Sequence, residues 1–216
     1  MTGNLDENNI ARLTGTVDSE PVFSHEVYGE GFYVFNVRSR RLSGSFDIIP
    51  VTVSDRLTDI SEYSKGRFIL AEGQFRSYNS ANQAGGQVKL ALTLFAQEVS
   101  FPEEVPETDT DIVELDGFIC KPPVYRTTPF NREICDFLLA VNRSYNKSDY
   151  LPCICWGRNA RFCGKRTVSE RVKVVGRMQS RVYQKKQPDG TAVDRVAYEV
   201  SVSKIELVSA GNEVKE

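Results

Sequence analysis

The sequence predicts an all-β protein built from two similar, small antiparallel barrels in tandem. Two observations lead to this fold class. The chain repeats itself, since Ile10 corresponds to Ile112 at an offset of 102 positions (112 − 10). Each repeat also contains five stretches rich in β-branched and aromatic residues, which favour strands, with room for only one short helix.

The repeat appears as identical residues at this constant offset. The identical pairs are Ile10–Ile112, Leu13–Leu115, Gly15–Gly117, Pro21–Pro123, Val22–Val124, Phe35–Phe137, Arg41–Arg143, Asp47–Asp149 and Pro50–Pro152. Self-similarity of this kind marks a duplicated structural unit. We predict a first copy over residues 8–100 and a second copy over residues 111–208. The linker between them, FPEEVPETDT (101–110), contains two prolines and no basic residue.

The five strands are clearest in the second copy. They are predicted at IVELDGFIC, ICDFLLAVNR, DYLPCICWG, RVKVVGRMQSRVY and TAVDRVAYEVSVSKIEL. A short helix fits only between the third and fourth strands, near RNARFCG. Five antiparallel strands with a helix after strand three form the inventory of the oligonucleotide-binding (OB) fold. We therefore predict two five-stranded OB barrels, each with one short helix between strands 3 and 4.

Alternation along the strands predicts which side chains face solvent. In DYLPCICWG, Tyr150 and Trp156 share one face, whereas Cys153 and Cys155 share the other. In RVKVVGRMQSRVY, one face carries Val172, Val174, Met178 and Val182, and the opposite face carries Arg177, Gln179, Arg181 and Tyr183. The apolar face should fill the barrel. We therefore expect the aromatic and basic side chains on the outer surface.

Charge is divided unevenly along the chain. Residues 1–110 contain 9 Lys or Arg and 16 Asp or Glu, a net charge of −7, and residues 111–216 contain 18 and 13, a net charge of +5; the sum is −2. We therefore expect only the second half to face a polyanion. The sequence shows no membrane-spanning run and no signal peptide, and its five cysteines are an odd number. This pattern predicts a cytoplasmic protein with reduced thiols.

Aromatic rings interleaved with Arg and Lys on an outer sheet suit single-stranded nucleic acid. Bases stack on the rings while the cations follow the phosphates. The pattern alone equally allows Tyr150 and Trp156 to pack in a core or an interface.

The second copy resembles the bacterial single-stranded DNA-binding protein (SSB) family. The resemblance rests on GFICKPPVYRTTPFNREICDFLLAVNRSYNKSDYLPCICWG and on GRMQSRVY, and it covers nearly all of residues 111–208. It implies binding of single-stranded DNA with little sequence preference, in replication, recombination or repair, without a cofactor or metal. Asn131 replaces a glycine that is usual in the family, and asparagine tolerates the left-handed turn expected there.

The resemblance also implies which residues contact nucleic acid. The base-stacking aromatics are Tyr145, Tyr150, Trp156 and Tyr183. The basic contacts are Arg126, Arg143, Lys147, Arg158, Arg181, Lys185 and Lys186, and Arg177 joins them on the face that carries Arg181.

The first copy keeps the frame but lacks these aromatics. Ser43, Ile48, Ser54 and Ser80 stand at the four positions, with Tyr78 as one substitute. The loop VYGEGFYVF adds Tyr28, Phe32 and Tyr33, and Arg38, Arg40 and Arg41 form a local basic cluster. We expect this copy to complete the assembly and to hold a partner, such as a replication or repair protein.

The resemblance has two further implications. SSB proteins usually arrange four OB domains around one DNA strand, so two domains per chain imply a homodimer with two-fold symmetry. Replicative members also end in an acidic tail, whereas VSAGNEVKE follows the last strand here. We therefore expect a tail-less member outside the main replicative role.

Two other function classes compete with this interpretation. An enzyme would need Cys153 or Cys155 as nucleophile and His25 as base, but strand alternation places both thiols inside, where burial makes them inert. A zinc site lacks the usual ligand spacing. The serious alternative is an adaptor that acts mainly through protein contacts and resembles primosomal replication proteins of the PriB type.

Overall fold

The computed structural model describes residues 8–80, 89–186 and 190–208, apart from the side chains of Asn79, Ser80, Lys89 and Lys186. In these ranges the chain forms twelve β-strands, one 3-10 turn and one α-helix, so the all-β prediction is confirmed. Neither helical segment in this part of the chain is long and apolar enough to cross a lipid bilayer.

The strands repeat in order along the two copies. The first copy contains β1 (Asn9–Val17), β2 (Val22–Val27), β3 (Glu30–Arg40), β4 (Phe46–Ser54), β5 (Phe68–Ser80) and β6 (Lys89–Ser100). The second contains β7 (Asp111–Ile119), β8 (Val124–Thr127), β9 (Glu133–Arg143), β10 (Lys147–Trp156), β11 (Arg171–Lys186) and β12 (Ala192–Leu207). Helix α1 (Gly157–Cys163) follows β10, and the 3-10 turn (Ile60–Glu62) follows β4.

Contacts divide the described residues into two compact units. The N-terminal unit comprises residues 10–112 and 178–199, with the described gaps, and the C-terminal unit comprises residues 8–9, 113–177 and 200–208. In the N-terminal unit, β1 pairs with β5 and β3, β3 with β2 and β4, and β6 with β5 and, in parallel, β4.

The second copy repeats these pairings strand for strand where they are defined. In the C-terminal unit, β7 pairs with β11 and β9, β9 pairs with β8 and β10, and β10 runs parallel to β12 at Cys153 and Val200. The parallel pair β10–β12 matches β4–β6. The duplication visible in the sequence is therefore a duplication of sheet topology.

The repeated glycines mark a close approach of two strands. A Cβ atom at Gly15 would lie 2.5 Å from the carbonyl oxygen of Arg38, and one at Gly117 would lie 2.5 Å from that of Ala140. Real side chains do not tolerate such contacts. Glycine at both positions therefore lets β1 lie against β3 and β7 lie against β9.

Each unit has its own apolar core on the inner faces of its strands. Buried core residues of the N-terminal unit include Leu13, Phe35, Val51, Ile69, Phe75 and Leu94. Those of the C-terminal unit include Leu115, Leu139, Val141, Leu151, Val174 and Val200. Burial of this apolar area is the main favourable contribution to folding.

A buried carboxylate connects several segments of the N-terminal unit. Asp47 has a side chain 1% exposed, and its oxygens accept hydrogen bonds from Arg41 Nε at 2.6 Å and Arg41 Nη2 at 2.5 Å. The backbone N–H of Ser180 donates to Asp47 Oδ1 at 2.8 Å. The hydrogen bond with Asp47 raises the pKa of the Arg41 guanidinium. The identical pair of the second copy, Arg143 and Asp149, also forms an ion pair, at 3.5 Å.

The structure corrects the strand and helix inventory. Each copy has a sixth short strand, β2 or β8, in which every residue is exposed, so burial alternation could not mark it. The first copy forms a single 3-10 turn where one short helix was predicted. In the second copy, α1 lies where the short helix was predicted.

Two residues of β11 depart from the predicted faces. Val182 was expected inside but is exposed, and Gln179 was expected outside but is buried. The buried amide of Gln179 is satisfied because it donates a hydrogen bond to Glu199 of β12 at 3.0 Å.

Candidate nucleic-acid interface

The outer face of β8, β9 and β10 aligns an arginine with the tryptophan. Trp156 of β10 lies opposite Ile134 of β9, and Ile134 lies opposite Arg126 of β8. Residues in register on neighbouring strands share one face of a sheet. Trp156 is 39% exposed, so its ring is accessible on the same face that carries a guanidinium.

A second row on this face contains Tyr150 and an aromatic residue that the sequence reasoning missed. Tyr150 of β10 lies opposite Ala140 of β9, and Ala140 lies opposite Phe118 of β7. Both rings are exposed. Alternation in β7 would have revealed Phe118, because its neighbours Gly117 and Ile119 are buried.

The turn between β9 and β10 presents Tyr145. Tyr145 and Asn146 both have positive φ, 61° and 54°. A left-handed conformation is uncommon for a non-glycine residue, and it reverses the chain tightly here. The Tyr145 side chain is 93% exposed, and Lys147 follows opposite Arg143 at the start of β10. Asn131 likewise has a φ of 57°, as expected for the turn after β8.

The inner face below these rings is lined with thiols. Leu151, Cys153 and Cys155 are buried, so the predicted inside and outside faces of β10 are confirmed. Cys135 lies opposite Cys155. Burial raises the pKa of the Cys135 thiol to about 12. The pKa of Cys163 in α1 is raised mainly by a hydrogen bond with Cys155 and, to a smaller extent, by burial. The thiols of Cys135 and Cys163 therefore stay protonated at neutral pH.

Thiol labelling is expected to follow this burial. In the native protein Cys120, which is half-buried at the end of β7, should react first with a maleimide. Cys153 and Cys155 should react only as the protein unfolds, because they are buried and alternate with the exposed rings. Mass spectrometry of tryptic peptides measures the order. Rapid labelling of both Cys153 and Cys155 in the native protein would show that the cysteine face of β10 is the outer one. The aromatic residues would then face inward and could not form a binding surface.

The predicted basic residues of the C-terminal unit differ in whether another group of the protein already pairs with them. Arg126 donates twice to Asp136, at 3.0 and 2.8 Å, and Arg143 is paired with Asp149. Lys147 and Arg158 are exposed and have no ion pair within the described residues. Arg177 is half-buried and is engaged with another group. Lys147 and Arg158 are therefore the most available to phosphate.

Helix α1 contains a neutralised arginine beside an available one. Arg161 donates to both oxygens of Glu133, at 2.8 and 2.7 Å. Hydrogen bonds from Arg161 and Tyr125 lower the pKa of Glu133 to about 2. Arg158 lies one helical turn earlier in α1, so the two arginines form a matched pair.

The remaining predicted residues belong to the N-terminal unit. Tyr183 and Lys185 are exposed on β11, and Arg181 Nε lies 3.7 Å from Glu199. The side chain of Lys186 lies outside the described residues. The structure therefore divides the predicted residues between the two units. The C-terminal unit contains Tyr145, Tyr150, Trp156, Arg126, Arg143, Lys147, Arg158 and Arg177, and the N-terminal unit contains Arg181, Tyr183 and Lys185.

In the first copy, the predicted aromatic side chains differ in whether they already contact other rings. The ring of Phe32 stacks on His25 with centroids 4.9 Å apart, and it lies 5.7 Å from Phe95. Tyr28 and Tyr78 are exposed, and the side chain of Ser80 lies outside the described residues.

The three arginines of the basic cluster in the first copy also have partners, two of them acidic side chains and one a backbone carbonyl. Arg38 lies near Asp18 at 3.7 Å, and Arg41 is paired with Asp47. The guanidinium of Arg40 donates to the Glu107 carbonyl at 2.8 Å.

The second copy is similar in sequence to known proteins. The profile of the single-strand binding protein family matches residues 111–208, the whole second copy. Residues 111–208 of this chain belong to the single-strand binding protein family. Single-stranded DNA-binding protein 1 of Staphylococcus aureus is 33% identical over 85 residues, which cover 35% of this chain and 49% of the relative. The chain thus spans about half the length of the curated relatives that it matches.

Solved structures share the fold over most of the chain. The wild-type single-stranded DNA-binding protein of Thermus aquaticus matches with a TM-score of 0.74 at 19% identity, covering 94% of each chain. The dimeric N-terminal domain of PriB protein from Thermoanaerobacter tencongensis is 41% identical over 45% of this chain and 100% of that chain, with a TM-score of 0.40. The likeness to the Thermus protein shows that the two chains have the same fold.

Proposed function

We propose that the protein binds single-stranded DNA with little base preference, without enzymatic activity. The observation that supports this proposal most directly is the exposure of Trp156 and Tyr150 on the outer face. Cys153 and Cys155, which alternate with them, are buried. Every base has a π-face, so stacking on such rings accepts any sequence. Membership of residues 111–208 in the single-strand binding protein family supports this function.

The stacking residues are Tyr145, Tyr150, Trp156 and Tyr183. The basic residues that follow the phosphates are Arg126, Arg143, Lys147, Arg158, Arg177, Arg181, Lys185 and Lys186. We place this activity in DNA replication, recombination or repair in the cytoplasm, where the five unpaired cysteines stay reduced.

We propose that the chain folds as two tandem OB barrels, at residues 8–100 and 111–208, which are joined by the linker 101–110. Closed sheets of this kind need their first strand to pair at both edges. This requirement is met in the first copy, since β1 pairs with β5 and with β3 at Thr16–Arg38. It is met in the second copy, since β7 pairs with β11 and with β9 at Phe118–Ala140.

An equilibrium titration with oligo-dT at several salt concentrations tests the proposal. Binding should weaken linearly on a plot of log K against log salt, because each neutralised phosphate releases counterions. A poly-glutamate of similar charge serves as the control, since it offers anions without bases. Equal affinity for the two polymers, or no dependence on salt, would contradict base stacking with phosphate contact.

The matched arginines of α1 sharpen this test. Arg158→Ala should lower the slope of that plot by about 0.7, the value for one phosphate contact on a single strand. Arg161→Ala should leave the slope nearly unchanged, because Glu133 already holds that guanidinium. The slopes are measured by fluorescence anisotropy of a labelled oligo-dT. A slope for Arg158→Ala equal to that of the parent protein would show that Arg158 makes no direct phosphate contact.

We further propose that the protein forms a homodimer with two-fold symmetry. Two barrels per chain reach four barrels by pairing once, and two-fold dimers are the commonest closed assembly. Sedimentation equilibrium at micromolar concentration should give twice the mass of one chain. A single-chain mass under these conditions would contradict the dimer.

A PriB-like adaptor function is the second candidate. Its supporting observation is that the first copy has its basic cluster engaged by Asp18, Asp47 and Glu107. Such a surface suits a protein partner, such as a replication or repair protein, better than a polyanion. Weak, salt-insensitive binding to oligo-dT would favour this function.

A further inference from the structure

On the outer face of the C-terminal unit an alanine separates two exposed aromatic residues, and the space above this alanine is called the gap below. Phe118 of β7 and Tyr150 of β10 lie on either side of Ala140 of β9, in one row across three strands. Phe118 is 38% exposed and Tyr150 is 46% exposed. Ala140, whose side chain is a single methyl group, is the register partner of both residues.

The spacing of this gap suits one nucleic-acid base. The Cα atoms of Phe118 and Tyr150 lie two strand spacings apart, which is about 10 Å. A base stacked between two rings needs them about 7 Å apart, since successive stacked planes are about 3.4 Å apart. Rings on both walls can lean toward each other above an alanine, but a larger residue on β9 would fill the space.

The strand next to Phe118 supplies positive charge. Arg171 of β11 lies opposite Phe118, and Lys173 follows two residues later on the same face. Arg171 is held by Asp116 at 2.8 and 3.1 Å, whereas Lys173 is exposed. Lys173, whose register partner is Asp116, is therefore the exposed lysine on the strand next to Phe118.

The first copy shows what fills the corresponding position. The equivalent row is Thr16, Arg38 and Ile48, which are register partners on β1, β3 and β4. Neither wall is aromatic there. Arg38 takes the place of the alanine, with its guanidinium 5.3 Å from the centre of the Phe46 ring. The gap between two rings is therefore specific to the second copy.

We propose that Phe118 and Tyr150 clamp one base of single-stranded nucleic acid above Ala140. Phe118 is then a stacking residue in addition to Tyr145, Tyr150, Trp156 and Tyr183. The clamp rests on the proposed function, since it adds one base-binding position to the same face. Its contribution comes from the base itself, because an aromatic ring offers nothing specific to the sugar or the phosphate.

The test compares oligo-dT with an abasic oligomer of the same length. Stacking contributes 1–3 kcal/mol per base, so Phe118→Ala should weaken oligo-dT binding by about 5- to 150-fold. Binding of the abasic oligomer should not change. Phe118→Tyr should bind both oligomers like the parent protein, because it keeps the ring. Ala140→Leu should weaken oligo-dT binding by filling the gap, and Thr16→Ala, the equivalent change in the first copy, should have no effect.

Three outcomes would overturn the clamp. Unchanged oligo-dT binding by Phe118→Ala, while Trp156→Ala weakens it, rejects the clamp and leaves the proposed function standing. Equal weakening on both oligomers shows a role other than base stacking. If Trp156→Ala and Phe118→Ala both bind normally, the proposed function fails as well. Circular dichroism checks folding, and Phe118→Leu, which keeps the apolar bulk without a π-face, replaces Phe118→Ala if that variant unfolds.

Discussion

Asp47→Ala is expected to lower the free energy of unfolding by about 3 kcal/mol. Removing one partner of a buried ion pair typically costs 3–5 kcal/mol, since the other partner stays in a poorly solvated position. The low end of that range applies because the Arg41 side chain keeps 28% of its exposure. The variant also removes the acceptor of the Ser180 backbone N–H, which adds an unsatisfied donor.

Urea unfolding followed by circular dichroism measures this loss. Glu72→Ala is the matched control in the same unit, because the Arg12–Glu72 pair is exposed, at 57% and 32% for the two side chains. Exposed pairs contribute about 0–1 kcal/mol, so this control should unfold almost like the parent protein. A similar small loss for both variants would show that Asp47 does not organise the N-terminal unit.

Removal of both Trp156 and Tyr150 is expected to have the largest effect on DNA binding. Each ring should contribute about 1–3 kcal/mol by stacking with a base. The two residues are six positions apart on β10, about 20 Å along an extended strand. Effects of sites so far apart add, so the double variant should lose about 2–6 kcal/mol of binding free energy.

Fluorescence anisotropy with labelled oligo-dT at one fixed salt concentration measures each variant. The single changes Trp156→Ala and Tyr150→Ala establish additivity, and the equivalent residue Ser54 of the first copy provides the control Ser54→Ala. That control should bind normally, because no ring stands there. Binding that survives loss of both rings would reject this surface and favour the adaptor function.

The sequence predicted the features that depend on local pattern. Alternation along β10 placed Trp156 outside and Cys155 inside, and both placements are confirmed. The repeated glycines Gly15 and Gly117 were detected as identities, and the structure explains them by close strand contact. Such features survive folding because strand alternation and backbone approach are properties of the strand itself.

Features that depend on tertiary partners were beyond the sequence. Nothing local distinguishes Arg158 from Arg143, yet Arg143 is paired with the buried Asp149. Val182 follows the apolar pattern of β11 but is exposed. Strand β8 was missed because, in the part of the chain that the structure describes, it pairs with β9 alone and buries none of its residues. Ion pairing, strand overhang and edge position are decided by neighbours distant in the sequence.

Quenching of tryptophan fluorescence by oligo-dT tests the central claim most directly. Trp156 is the only tryptophan in the chain, so the whole signal reports one ring of the proposed surface. We predict that saturating oligo-dT quenches most of this emission, and that high salt shifts the titration to higher DNA concentration. Unchanged emission at saturating DNA, with binding verified independently by anisotropy, would contradict base stacking on this face.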